Sequence, residues 1–220
     1  FFTNERAKAD FKKMVRYVSA RYGYSDNIFA WELWNEVSHL ADYMEKNEEC
    51  TAWHFEMANF VKGIDSYDHM VTSSIGPPSG DDPQHAIKEL DFANVHLYGA
   101  HNYSTVLLDN YIIPIWQNNN KPILMSEVGA GGENGEGSYI ADPSYTYIKQ
   151  SLYVGCFAGS GGGNAWWWDW IDKYNLYYLY QPVVNYFNTV TGNFATMPSI
   201  MNGDAYFTCE NIADAVSQVN

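Results

Sequence analysis

Basic residues are scarce in this chain: 12 Lys and Arg stand against 26 Asp and Glu, a net charge of −14. That balance argues against nucleic acid and anionic membrane surfaces as partners. Long apolar runs are lacking too, and none approaches the roughly 18 residues that a membrane helix needs. Cysteine is limited to Cys50, Cys156 and Cys209, whose spacing fits no CxxC metal pattern. Cys50 and Cys156 fall on helical flanks and read as free thiols; an intramolecular disulfide and a link between two chains are the alternatives. No HExxH pattern occurs among the six histidines, and His96 and His101 are too isolated to argue for zinc. Ser73, Ser74 and Ser126 sit in no GxSxG elbow, which speaks against a serine hydrolase. No charged-then-apolar stretch opens the chain as a signal peptide would, because Phe1 leads directly into a helix signal; a signal already removed and a start within a domain both fit.

Against those absences stand 220 residues that are 46% hydrophobic, enough for one domain with a substantial core. Aromatics make up 17%, with 18 Tyr and 8 Trp. Flat sugar faces stack on side chains that pair an apolar ring with a polar tip. A Tyr-rich core and surface would look the same in composition.

Thr3 or Asn4 offers a helix N-cap, and Phe11, Met14, Val15 and Val18 recur at helical spacing until Gly23. Ile28 to Trp34 reads as a strand. Trp53, Met57, Phe60, Val61 and Ile64 form a second helical stripe. His69 to Ser74 and Phe92 to Tyr98 read as strands. A weaker helix runs from about Ser104 to Asn118 and contains Pro114. Ile123 to Ser126 is a strand, about Pro143 to Phe157 a helix, Gly163 to Trp170 a strand, and about Tyr178 to Val190 a last helix. Strands alternating with helices imply an α/β fold with a parallel sheet and helical crossovers. Its near-continuous apolar strands fit a sheet covered on both faces. Residues 191–220 show no clear period, so the expected division is 1–190 and a C-terminal extension, 191–220.

Two of these strands end in a carboxylate. Phe29-Ala-Trp-Glu-Leu-Trp-Asn-Glu36 carries Glu36, and Lys121-Pro-Ile-Leu-Met-Ser-Glu127 carries Glu127. Barrel enzymes gather catalytic groups at the C-terminal ends of their strands. Paired carboxylates cleave glycosidic bonds, with roughly 5–5.5 Å between them in retaining enzymes and about 6.5–9.5 Å in inverting ones. One carboxyl must be protonated when the bond breaks, and the other must stay ionised. Counting in twos puts Trp34 and Glu32 on the face of Glu36, and Met125 and Ile123 on the face of Glu127.

The motifs then acquire a family likeness. Trp31-Glu-Leu-Trp-Asn-Glu36 resembles the fourth-strand motif of the retaining (β/α)8 glycoside hydrolases, most closely the cellulase-like family 5 group. The resemblance implies Glu36 as acid/base and Asn35 as a contact to the sugar 2-hydroxyl. Lys121 to Gly129 looks like the seventh strand and implies Glu127 as nucleophile. Val95-His-Leu-Tyr-Gly99 looks like the sixth, whose His96 and Tyr98 flank the nucleophile. Ala165-Trp-Trp-Trp-Asp-Trp170 is similar to the eighth, with Trp168 as the aromatic floor of the sugar subsite and Trp166 as its alternative. Glu32 reads as a buried structural ion pair.

The resemblance covers about residues 5 to 190 and implies a partial TIM barrel of about five βα units, equivalent to strands four to eight. Strands one to three have no counterpart here. A five-strand parallel sheet leaves unpaired edges and an exposed apolar side, so the expected state is a fragment of a longer enzyme or a homodimer that completes the sheet. Implied are a β-1,4-linked glucan or mannan as substrate, no metal or cofactor, and a secreted or cell-surface location. A non-catalytic carbohydrate-binding half-barrel and an inactive fragment needing a partner chain are the other readings. Gly129 to Gly137 lacks the Lys-Ser/Thr ending of a nucleotide loop and carries acids that would repel phosphate, so it reads as a loop beside the cleft. Gly159 to Gly163 reads as the turn into the last strand. Asp65 to Asp68 and Asp81-Asp82 read as solvated loop acids, with weak calcium binding as the alternative.

Overall fold

A computed structural model describes residues 1–76, 82–99, 106, 108–131, 139–157, 160 and 165–190. Helix α1 spans Glu5–Tyr22 and is capped by Asn4, whose side chain accepts from the Ala7 N–H. Strand β1 is Ala30–Glu32, and a 3-10 turn at Val37–His39 follows. Helix α2 is Asn47–Ile64. Strands β2, Met70–Thr72, and β3, Ser74–Ile75, are separated only by Ser73. Strand β4 is Ala93–Tyr98. A π turn, Leu108–Ile112, runs into α3, Ile113–Asn119. Strand β5 is Ile123–Gly129, followed by α4, Thr146–Phe157. Helix α5 is Trp168–Lys173, a 3-10 turn covers Leu176–Leu179, and α6 is Gln181–Val190.

Among the described residues all strand pairings are parallel. β1 pairs with β2, and β3, β4 and β5 pair in that order. The β1–β2 pairing continues through the bond from Leu33 N to Thr72 O, and the bond from Ser74 N to Trp34 O joins that pair to β3. The segment after α4 lies along β5 through bridges of Ser160 to Ile123 and Trp166 to Val128. The α/β class and parallel crossovers thus match the sequence pattern, and four strands stand where it puts them. The fifth does not extend as expected. Instead of a strand to Trp170, the chain bridges β5 at Trp166 and turns into α5 at Trp168. Asp169 sits in the first turn of that helix, which suits the positive end of its dipole. The start of the expected third helix (Ser104), most of the loop to Gly137, the turn at Gly159 to Gly163 apart from Ser160, His101, Asp81, Cys209 and residues 191–220 lie outside the described residues.

Apolar residues gather on the helix-covered face. One cluster joins Val95 and Leu97 of β4 to Ile123, Met125 and Val128 of β5, against Ile112, Ile148, Leu152, Trp166 and Trp170. A second joins Leu33 and Val71 to Trp53, Met57 and Val61 of α2. Burial of such side chains stabilises by about 1.5–3 kcal/mol each. Helix α1 buries no residue completely; Phe11 and Val15 rest partly buried on the second cluster, and Lys8 and Lys12 both pair with Glu56 of α2. These lysines hold the Glu56 carboxyl below its ordinary value, Lys12 contributing most.

Two acids behave differently from their sequence reading. Asp65 is not a solvated loop acid. It is buried and accepts from the Trp31 indole at 2.9 Å and from His69 Nδ1 at 2.8 Å, besides the N–H groups of Tyr67 and His69. Burial pushes its carboxyl up, but these donors outweigh it and hold the group below its ordinary value. Glu32 is exposed, not a buried ion pair, because β1 has only β2 beside it among the described residues. Cys50 and Cys156 are both free thiols, pushed up by burial to about 12 and about 11.

Candidate active site

Glu36 leaves β1 by a sharp change of backbone. Its φ of 49° and ψ of 53° are left-handed, a region that costs a non-glycine residue about 1–3 kcal/mol. Counting in twos from the strand therefore does not decide where its side chain goes. What holds the turn is polar. The Glu36 N–H donates to Ser74 Oγ at 2.9 Å, and the Ser74 hydroxyl faces Asn35 Oδ1 at 3.5 Å. The backbone one step earlier is tied as well: Trp34 O accepts from Ser74 N and lies 3.0 Å from Ser73 Oγ. Buried His54 backs Ser73 through Nε2 at 2.9 Å and donates Nδ1–H to Cys50 O at 2.8 Å. Burial depresses His54 to about 4, so it is neutral near pH 7.

Glu127 is aimed by a different device. It lies within β5, with Val128 and Gly129 after it, rather than at the strand end. Val95 is opposite Met125, yet His96 is opposite Glu127. Ser126 is the extra residue of a β-bulge, a feature that re-aims side chains beside functional sites. Before the bulge, Ile123 and Met125 pack in the core with Val95 and Leu97. After it, Glu127 joins the opposite face, with His96 and Tyr98. The expectation that Met125 and Ile123 share the face of Glu127 is thus corrected by one inserted residue, which reverses the alternation.

His96 and Tyr98, both on β4, meet the two acids. His96 Nδ1 lies 2.8 Å from Glu36 Oε1 and 3.5 Å from Glu127 Oε2. Its Nε2 is 3.0 Å from Ser126 Oγ, and Ser126 in turn bonds Asn94. The Tyr98 hydroxyl donates to Glu127 Oε2 at 2.8 Å. His39 Nδ1 approaches Glu36 Oε2 at 3.6 Å. One oxygen of Glu36, one of Glu127 and one nitrogen of His96 all lie within 4.8 Å of one another. His96 is buried, while each glutamate side chain is roughly a fifth exposed, at 23% and 22%, so both can reach a substrate. Burial lifts the Glu127 carboxyl above its ordinary value; Tyr98 and His96 pull it back, and the charges of Glu36 and Glu32 add to the rise.

The same three groups could be read as metal ligands. Nitrogen and oxygen ligands about 2.0–2.2 Å from a tetrahedral zinc sit roughly 3.3 Å or more apart. The 2.8 Å between His96 Nδ1 and Glu36 is closer than that and is a hydrogen-bond distance. An ion would have to open the pair.

Of the remaining expected site residues, Asn35 is exposed beside Glu36. Trp168 is 70% exposed at the start of α5. Trp166 is 4% exposed; its indole donates to Ser151 Oγ and packs 4.8 Å from the Trp170 ring. A side chain so enclosed has no face for a sugar, so Trp166 is core and not a subsite floor. The two tryptophans do not share a face because the strand expected to carry both ends between them. Sequence reading missed Ser74, Gly76 and Ser126. No motif marks them; they matter only through contacts 30 or more residues away in sequence. A separate surface recess, lined by Asn47, Thr51, Phe55, Pro83 and Ile87, contains none of these groups.

No protein-family model matches the chain. Among curated proteins, mannan endo-1,4-beta-mannosidases 5 and 2 of Solanum lycopersicum are each 29% identical to it over 205 residues, covering 76% of this chain and 49% of the relative. Mannan endo-1,4-beta-mannosidase 3 of Oryza sativa subsp. japonica is 34% identical over 126 residues, covering 44% of this chain and 26% of the relative. The chain thus spans about half the length of the tomato relatives it matches. Together with the four strand motifs, these likenesses support a resemblance to the cellulase-like glycoside hydrolase family 5 group.

Proposed function

We propose that this chain carries the catalytic half of a retaining β-1,4-glycan hydrolase, with mannan as its first candidate substrate. One observation bears most of the weight: Glu36 and Glu127, 91 residues apart, present oxygens within 4.8 Å of each other beside a shared histidine. That separation suits the retaining arrangement better than the wider inverting one. The mannosidase names of the relatives favour mannan over glucan.

In this reading Glu127 attacks the anomeric carbon. The glycosidic C–O bond breaks, and Glu36 gives its proton to the departing oxygen. Glu36 then takes a proton from water, the water oxygen bonds to the anomeric carbon, and the Glu127 ester bond breaks. Tyr98 donates to Glu127 and the nearby His96 favours its charge, which a nucleophile needs because burial and two neighbouring carboxylates otherwise favour its protonated form. Asn35 contacts the 2-hydroxyl, and the exposed Trp168 floors a sugar subsite. The fold belongs to a partial barrel equivalent to strands four to eight, over residues 1–190, and a secreted or cell-surface setting goes with it.

The role assignment is tested with azide and an aryl mannoside that bears an activated leaving group. Glu36→Ala with azide gives a β-glycosyl azide, because azide intercepts the glycosyl-enzyme. Glu127→Ala gives the α-azide, because azide takes the place of the nucleophile. The opposite products reverse the roles, and wild-type protein that releases no reducing sugar from mannan or glucan refutes the enzyme reading for this chain.

A second reading concerns assembly. β1 pairs only with β2 among the described residues, and Met14, Tyr17 and Phe29 nearby in sequence are exposed. A second copy covering this side would complete the sheet. Molecular mass in solution tests it: a dimer supports the completion, and a monomer with full activity refutes it.

A further inference from the structure

We infer that Ser74 and Gly76 form a cradle that positions Glu36 for proton transfer, an inference that rests on Glu36 being the acid/base. Neither residue touches the reacting atoms, so both are positioning residues.

The cradle is built from the end of β3. Ser74 is fully buried, yet its hydroxyl oxygen is spent on a backbone group of another element, the Glu36 N–H. That contact matters because Glu36 sits in a left-handed conformation that a glutamate leaves unless its surroundings impose it. The Ser74 N–H holds Trp34 O at the same time. One serine therefore anchors the backbone two residues before Glu36 and at Glu36 itself. The turn beyond is fastened by Ser38, whose Oγ accepts from the Gly76 N–H at 3.0 Å and donates to Gly76 O.

Gly76 supplies the space. A Cβ at this position would fall 2.7 Å from Glu36 Oε1, 3.3 Å from Glu36 Cδ and 3.2 Å from His96 Cβ. The closest of these atoms is the one that bonds His96 Nδ1. Gly76 therefore has no side chain because the carboxylate of Glu36 occupies the place where one would be. The atom at risk is the far end of a flexible side chain, not backbone. A methyl group at position 76 is accommodated by swinging the Glu36 carboxylate away, with little demand on the fold. Displacing a catalytic group by about 1 Å can cost on the order of 10²-fold.

The same geometry separates this from a merely structural role. Proton delivery by a general acid contributes about 10²–10⁴-fold, and it is needed when the leaving oxygen is a poor leaving group. A 2,4-dinitrophenolate departs without a proton. Hence Gly76→Ala and Ser74→Ala should depress turnover of mannan, by about 10²-fold and about tenfold respectively, while formation of the glycosyl-enzyme from 2,4-dinitrophenyl β-mannoside stays within about twofold of wild type. Glu36→Ala, measured beside them, is the reference for complete loss of the acid. Ser74→Thr keeps the hydroxyl and should recover most of the activity lost in Ser74→Ala.

The expected result is leaving-group-selective loss in all three variants, graded Glu36→Ala, Gly76→Ala, Ser74→Ala. If Glu36→Ala is selective and the cradle variants lose both substrates equally or neither, the cradle inference is overturned and the acid/base reading stands. If Glu36→Ala itself shows no selectivity, the acid/base reading falls first. A readout that needs no turnover accompanies these: the Nδ1 resonance of His96 in the NMR spectrum of the full chain. Gly76→Ala should shift it, because the carboxylate partner moves. An unchanged resonance in a folded Gly76→Ala protein overturns the cradle whatever the activities.

Discussion

The two glutamates face one another, but they are held in different ways. Around Glu36 the support is polar and local to strand ends: Ser74 on its N–H, Ser73 and His54 behind Trp34, and Ser38 clasping Gly76. Around Glu127 the support is register. β5 is locked by Met125 and Val128 in the core, and a single bulge turns Glu127 onto the face of His96. A side chain aimed by a bulge moves only if the sheet slips, which the buried alternate residues oppose. A side chain aimed by hydrogen bonds to a strained turn moves when one donor or acceptor is lost. The Glu36 half should therefore tolerate mutation less gracefully in function, and the Glu127 half less gracefully in folding.

The largest expected break in this comparison is Glu127→Ala. It removes the proposed attacking group and should lower mannan turnover by on the order of 10⁴–10⁶-fold, measured as reducing sugar released. Wild-type activity in this variant moves the nucleophile elsewhere.

Tyr98→Phe comes next. It keeps the ring and removes one donor to Glu127, at an expected cost of about 10²–10³-fold in kcat. The Tyr98 hydrogen bond lowers the Glu127 carboxyl, so its loss raises it, and the proposed nucleophile must be ionised. The acidic limb of the kcat/KM profile should therefore move to higher pH. An acidic limb that stays in place removes Tyr98 from the role.

Asp65→Asn tests the support beneath β1 rather than the site. It leaves four donors facing a weaker acceptor and should cost about 1–3 kcal/mol in urea unfolding. The pH dependence has a definite sign. The Asp65 carboxyl is lower in the folded state than in the unfolded chain, so its contribution is complete above the unfolded value of about 3.9. It is lost as pH falls from there through the folded value. Asp65→Asn should therefore flatten the loss of stability below about pH 4, where acid unfolding of the wild type is steeper.

The smallest effect belongs to Trp168→Ala. If its exposed ring floors a subsite, KM for mannan rises several-fold, as loss of one aromatic contact worth about 0.5–1.5 kcal/mol requires, while kcat holds. Trp166→Ala should instead act on stability, because that ring is buried against Trp170 and Ser151. A reversal of the two outcomes would restore the strand reading of this segment.

Much of this was legible in the chain. The apolar runs around Ala30, Met70, Ala93 and Ile123 are strands because continuous β-branched and aromatic residues suit a covered parallel sheet. The acids at 36 and 127 stood out as a pair, since either one alone reads equally well as a solvated strand-end charge. The Tyr98 hydroxyl beside Glu127 was expected from the sixth-strand motif and is found at 2.8 Å. The Trp-rich run at 166–170 was misread as a strand, since aromatic enrichment is shared by strands and short buried helices. Asp65 looked like one of several loop acids because nothing in its neighbours announces the Trp31 indole.

The sequence by itself determined four of the strands, the helices that follow them and the two carboxylates, because periodicity and residue chemistry are local properties; the family resemblance implied the partners on β4. Only the tertiary structure decided how those carboxylates point. The bulge at Ser126, the left-handed turn at Glu36 and the empty place at Gly76 each depend on contacts between strands far apart in sequence, where a single residue of register or a single missing methyl group decides which face a side chain takes.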